Sequence, residues 1–246
     1  MRIYKRPIEW YVRKLEKGNY FAFPGYSDAE WFSMMGIREG QKTGLGQLMT
    51  REHGRRLLDV MRRRVDDPKW LFAVPECLWR IPQFEKTSID SFLQEEGIDL
   101  KYAYERDMVL DDLARDAGLY PLIKQLQEMD TVVIGPKELE KPLTFLDYKA
   151  FIPITSPNLH MEKGGIEHAV VRALGYDAVY LISAGVSAPV IIDQLYKDNP
   201  NAFYIDCGSI WDAFAGIGGQ RTWRADLYGD SFKLQEWKRK NLYGPG

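Results

Sequence analysis

Residues 19–36 read NYFAFPGYSDAEWFSMMG, and the reading of this stretch decides the fold class. Tyr20-Phe21-Ala22-Phe23 is an apolar run of strand length. Pro24-Gly25-Tyr26-Ser27 is turn chemistry. Asp28-Ala29-Glu30-Trp31 then opens a helix, with Asp28 a good N-cap residue. A buried strand thus hands over to a helix, and two carboxylates one residue apart sit at the handover. In an open α/β sheet, ligands bind at the carboxyl ends of strands. A D-x-E pair at that place is a seat for a divalent cation that also touches phosphate. The competing reading makes Asp28 an N-cap and Glu30 a first-turn carboxylate facing the helix dipole. The sequence leaves both open.

The same alternation continues outward. Residues 7–17 read as a helix, with Pro7 at its start and Ile8, Tyr11, Val12 and Leu15 on one face. A long helix is expected from Thr50 to about Val65 and a strand at 69–74. Shorter elements follow: helices at 88–96, 107–117 and 121–129, and a strand at 100–104. From Thr131 the pattern is regular. Strands at 131–135, 151–154, 179–183 and 203–206 are separated by helical stretches at 136–147, 162–174 and up to Lys197. Short apolar strands alternating with helices give an α/β, Rossmann-like, mostly parallel sheet with helices on both faces. Residues 1–216 are expected to form a single α/β domain. Residues 217–246 are an extension that packs on the body or makes a subunit contact, which leaves a homo-oligomer open.

Composition excludes several classes. The chain has 246 residues, 45% hydrophobic and 28% charged, enough for a sizeable core. The net charge of −2 gives no global basic field. Cys77 and Cys207 lack metal spacing, so a reduced, cytoplasmic compartment is expected. No apolar run approaches the ~20 residues of a membrane span, and the basic N-terminus has no apolar core of a signal peptide.

Four strand ends carry residues suited to a ligand, and in a parallel sheet they share one edge. They are Asp28 with Glu30; Thr155-Ser156-Pro157-Asn158; Ala184-Gly185-Val186-Ser187-Ala188; and Asp206-Cys207-Gly208-Ser209. At the third, a turn delivers a helix N-terminus whose free N–H groups favour a phosphate. Each has a plainer reading as a cap or turn residue; their convergence carries the argument. The 50–65 helix bears Arg51, Arg55, Arg56, Arg62, Arg63 and Arg64 on one face. That face is either solvated or an acceptor surface for an anion. There is no phosphate-binding G-x-x-x-x-G-K-[ST] loop, no dinucleotide G-x-G-x-x-G and no G-x-S-x-G elbow. His53, His160 and His168 have no metal-ligand spacing.

The residues in this order resemble the GT-D fold glycosyltransferases, whose strand–turn–helix has the form R-[FY]-G-D-G-E-[FWL]. Gly25-Tyr26-Ser27-Asp28-Ala29-Glu30-Trp31 matches it with the carboxylates intact. The family's Arg is Gly25 here, and its two glycines are Ser27 and Ala29. Gly36, Gln41 and the 50–65 helix follow the family's order, as do the loop at 152–158, the strand–turn–helix at 181–188 and the closing strand at 204–209. The match spans roughly residues 8–215.

The resemblance implies a transferase moving a sugar from a nucleotide sugar, a UDP-sugar above all, to an acceptor hydroxyl. Asp28 and Glu30 would be the catalytic pair and hold Mn2+ or Mg2+. Tyr26, Ser27, Gln41, Ser156, Asn158, Gly185, Ser187, Ala188 and Asp206 would line the donor. The acceptor would be a glycan or a hydroxylated DNA base, with Arg51, Arg55 and Arg62 as an acceptor surface. The rival readings are a nucleotide- or sugar-phosphate-binding module without turnover, and a metal-dependent phosphohydrolase.

Overall fold

The structure, a computed structural model, describes residues 1–42, 46–76, 86–155, 158–219 and 222–245, with the backbone alone at 86, 87, 107, 108 and 222. Cys77, Ser156 and Pro157 lie outside the described residues.

All strand pairings are parallel. Strands β1 (Arg2–Tyr4), β4 (Tyr102–Glu105) and β3 (Ala73–Val74) form a three-stranded sheet in the order β1-β4-β3. Strands β2 (Ala22–Phe23), β8 (Phe203–Asp206), β7 (Val179–Ile182), β5 (Thr131–Pro136) and β6 (Ala150–Ile154) form a five-stranded sheet in the order β2-β8-β7-β5-β6. Isolated parallel bridges from Ala22 to Trp70 and from Gly25 to Ala73 join β2 to the β3 segment. The carboxyl ends therefore lie along one edge. Strand β2 is short because Pro24 has no N–H to continue a ladder.

Helices cover both faces, as a sheet apolar on both sides requires. Helices α1 (Ile8–Glu16), α6 (Tyr120–Gln127), α9 (Asp212–Ala215) and α11 (Ser231–Tyr243) bury Tyr11, Ile123, Phe214 and Trp237 against Phe21, Phe23, Leu181 and Ile205. On the other face lie α2 (Asp28–Met34), α3 (Arg51–Arg64), α4 (Lys86–Glu95), α7 (Gly165–Ala173) and α8 (Ala188–Asp198). Their Trp31, Leu57, Leu93, Val170 and Ile191 pack on Ala22, Ile134, Ile182 and Tyr204. Period-2 alternation within each strand sends neighbouring side chains to these two cores.

Some local expectations are corrected. Residues 107–117 form a π-helical turn (Asp107–Asp111) and then the short helix α5 (Asp112–Arg115), not one α-helix. The wider turn accompanies an ion pair between Arg106 and Asp111, five residues apart. Residues 136–147 hold two 3-10 turns, Lys137–Leu139 and Thr144–Leu146, in place of a helix. The run at 69–74 keeps strand geometry only at Ala73–Val74. Strand β1 carried no sequence signal, because three residues are too few for periodicity. The C-terminal segment is helical, with α10 (Thr222–Tyr228) preceding α11. Trp237 Nε1 donates to the Ala114 carbonyl at 2.7 Å, and Asn241 Oδ1 accepts the Leu119 N–H at 2.9 Å.

Among the described residues no helix is long and apolar enough to cross a membrane.

Candidate functional site

The site forms where β2, β4 and β8 end. Asp206 closes β8 and is 3% exposed. Its Oδ2 accepts the Gly25 N–H and its Oδ1 the Gly208 N–H, both at 2.9 Å. One carboxylate thus ties the turn after β2 to the turn after β8. Burial raises its pKa, and Arg106 opposes the shift.

Arg106 follows β4 and is nearly buried. Its Nη1 donates to Asp111 Oδ2 at 3.2 Å and to Ser27 Oγ at 3.4 Å, and its Nη2 lies 4.0 Å from Asp206 Oδ1. The guanidinium fills a slot between two glycines. A Cβ on Gly25 would lie 2.6 Å from Arg106 Nε, and one on Gly208 would lie 2.2 Å from Nη2. Gly208 also has φ +53°, a conformation that glycine adopts without strain.

Helix α2 brings the paired carboxylates beside this slot. Glu30 Oε2 accepts the Ser27 N–H at 2.8 Å, so Glu30 reaches back to the N-cap residue of its own helix. Its carboxyl is 5% exposed. Burial, then the charge of Asp206, push it up to about 8, with Arg106 opposing and Asp28 adding. Burial is the larger cause, and the like charges of Asp206 and then Asp28 add to it. Asp28 is half-buried at the first position of α2. Tyr26 is fully buried; its carbonyl accepts Trp31 Nε1 at 3.1 Å, and its hydroxyl has no partner among the described residues.

The other strand ends share the edge but play different local parts. Asn158 clasps the glycine-rich loop, its Oδ1 accepting the Leu48 N–H at 2.7 Å and its Nδ2 donating to the Gly46 carbonyl at 3.1 Å. His160 Nε2 donates to the Leu48 carbonyl at 2.9 Å. His53 Nε2 donates to the Val186 carbonyl at 2.7 Å, holding α3 to the Gly185–Ser187 turn. Burial lowers His53 to about 3, so it is a neutral donor. Ser187 is buried with no partner for its hydroxyl among the described residues, and Ala188 begins α8 behind it. Gln41 is exposed in the loop. Burial pushes the Cys207 thiol up to about 12, which makes it a small hydrophobe and no nucleophile.

The arginine face of α3 is largely neutralised. Arg51 faces Glu39, Arg56 faces Glu167, Arg62 faces Asp59 and Glu96, and Arg63 and Arg64 share the buried Asp193. Arg55 has no carboxylate partner among the described residues.

Arg106, the centre of the slot, carried no sequence signal. It sits in ERD between two weak elements, and nothing local places it 81 residues away beside Gly25.

We compared the chain with known proteins. No protein-family model matches it, and no curated protein does. One solved structure is similar over 99% of this chain and 91% of its own, with a TM-score of 0.57 and 12% sequence identity. It is described as a highly conserved domain of unknown function 1792 with a distinct glycosyltransferase fold. This chain shares that fold. At this identity the likeness shows architecture, with parallel sheets flanked by helices, and the chemistry must be argued from the site.

Proposed function

We propose that this protein is a glycosyltransferase that moves a sugar from a nucleotide sugar, a UDP-sugar above all, to an acceptor hydroxyl. The observation that carries the reading is the buried guanidinium of Arg106 between the Gly25 and Gly208 turns, with the Asp28–Glu30 pair beside it. Open α/β sheets bind ligands at this edge, which supports reading it as the donor site.

The leaving group is a nucleoside diphosphate. As the bond from the anomeric carbon to the phosphate oxygen breaks, its electron pair stays on the diphosphate. A fixed cation there stabilises the developing charge; that part falls to Arg106, whose charge Asp111 and Asp206 share. In the family this chain resembles, an arginine stands at the position of Gly25; here Arg106, which follows β4, packs against Gly25. The acceptor oxygen bonds to the anomeric carbon and gives up its proton. Glu30, pushed up to about 8 by burial, can take that proton close to neutral pH where Asp28 holds the cation.

The donor set also suits a divalent cation. Both Asp206 oxygens and Oε2 of Glu30 are engaged by backbone N–H groups. That leaves the Asp28 carboxylate and Oε1 of Glu30. Among the described residues no three Asp, Glu, His or Cys side chains cluster to hold a metal. Magnesium or manganese binds in this way, on one or two carboxylates, with substrate phosphates and water completing the shell. Bound there, the cation would neutralise charge on the diphosphate.

The test is a thermal-shift panel of nucleoside diphosphates and nucleotide sugars, with and without manganese. Wild type is compared with Arg106→Ala and Asp28→Ala/Glu30→Ala. A ligand that binds the native state raises the melting temperature. The expected result is a shift with one nucleotide family, enhanced by manganese and lost in both variants. No shift with any nucleotide would sink the reading.

A further inference from the structure

Away from the slot, cations and aromatic rings gather on one face of the small sheet. Strands β1 and β4 pair Arg2 with Tyr102 and Tyr4 with Tyr104. Neighbours in parallel register point the same way, so these side chains share a face. Helix α1 adds Trp10 and Lys14, one turn apart. Tyr4 stacks on Tyr102 at 5.5 Å, and Trp10 stacks on Tyr104 at 5.8 Å. The Arg2 guanidinium lies 5.1 Å from the Tyr4 ring. That of Arg6 lies 5.4 Å from Tyr4 and 5.6 Å from Trp10, and the Lys14 ammonium lies 4.6 Å from Trp10.

These cations differ from those of α3, where Arg55 alone among the described residues lacks a carboxylate partner. Among the described residues, Arg2, Arg6 and Lys14 have no carboxylate partner, while Lys5 beside them pairs with Glu76 at 2.5 Å. Glu9 is exposed on α1 and pairs with none of them. The rings hold the charged heads in place by cation–π attraction, so the face presents fixed positive charge that no carboxylate pairs among the described residues.

We propose that this face binds single-stranded nucleic acid, its phosphates on Arg2, Arg6 and Lys14 and a base on Tyr102. A positively charged track with an exposed ring is how sequence-tolerant single-strand binding is built. The Tyr4 and Trp10 rings are covered by cations and other rings, so a neutral sugar finds no open ring face there. Tyr102, 54% exposed, is the open one. Among the described residues it is the one large hydrophobic side chain of this face that is exposed, which is too little for seating on a membrane. That the bound strand is the acceptor rests on the transferase reading; the binding itself does not.

The test is fluorescence anisotropy with a labelled oligothymidylate over a salt series. The variants are Arg2→Ala/Arg6→Ala/Lys14→Ala, Tyr102→Ala, and the control Arg51→Ala/Arg55→Ala/Arg62→Ala. The expected result is binding at low salt that weakens at least tenfold in the first variant. Its slope of log affinity against log salt should flatten by about 2, at about 0.7 per phosphate contact. Tyr102→Ala should weaken binding several-fold, and the α3 control should bind as wild type. Single substitutions of Arg2 and Lys14 give the same direction should the triple variant melt early. No binding at low salt, wild-type binding by the track variants, or preferred binding to heparin or phosphatidylserine vesicles would overturn the proposal. Thermal shift by nucleotide sugars separates the two readings. A strand held through the track without any nucleotide shift removes the transferase and keeps the surface; the reverse removes the surface alone.

Discussion

The guanidinium of Arg106 occupies the space that a side chain on Gly25 would fill, 2.6 Å from where its Cβ would stand. Gly25 and Arg106 are therefore complementary. Gly25→Ala overpacks the slot, at a cost of about 1–3 kcal/mol, read by urea denaturation. Gly25→Arg alone should be worse, because two guanidinium groups would compete for one place. Combined with Arg106→Gly it should regain part of the lost stability and of the nucleotide-dependent thermal shift, the rest being held back by Asp206 Oδ2, which also stands 2.6 Å from a Cβ at position 25. A double variant no better than Gly25→Arg would show that the two positions are not exchangeable.

Asp206 satisfies two buried N–H groups and faces Arg106. Asp206→Ala orphans both and leaves the guanidinium less compensated, at a cost of about 3 kcal/mol or more. Asp206→Asn keeps one carbonyl acceptor and should fall between wild type and Ala in chemical denaturation.

Glu30 gives a pH signature. Its folded pKa is raised to about 8 from an ordinary 4.5, so between these values the native state holds a proton that the unfolded chain has released. Stability from this group is fully present below about 4.5 and is lost as pH rises through about 8. Asp206, also raised, acts in the same sense. Glu30→Gln should gain on wild type steadily from pH 5 to 8 in melting experiments. A cation at Asp28 and Glu30 competes with that proton, so manganese should raise the melting temperature more at pH 8 than at pH 5.5.

Helices α2 and α3 touch at Gly54. A Cβ there would stand 2.0 Å from the Ser33 carbonyl oxygen, which is backbone and cannot swing aside. Gly54→Ala should cost about 3 kcal/mol or more by forcing the helices apart. Because α2 carries Asp28 and Glu30, the surviving folded fraction should also bind nucleotide more weakly, measured by titration below the melting transition.

Trp237 is 5% exposed and bonds the Ala114 carbonyl. Trp237→Ala should destabilise by about 3–5 kcal/mol, read as a lower denaturant midpoint. Trp237→Phe should recover much of the packing but not the hydrogen bond.

The sequence by itself determined the α/β class, because its strands from Thr131 onward are short, apolar and separated by amphipathic helices, a pattern set by local periodicity. It also marked the carboxyl edge: Asp28, Glu30, Gly185 and Asp206 stand at strand ends where chain direction alone places them. The tertiary structure decided what those residues face. The buried pairing of Asp206 with the turn at Gly25, the arrival of Arg106 in a slot two glycines leave open, and the neutralising of the α3 arginines by Asp193, Glu96 and Glu167 all join residues distant in the chain. Local patterning records which face a side chain takes. It carries no record of which charge waits on the other side, because that is fixed only when the strands align and the solvent between them is gone.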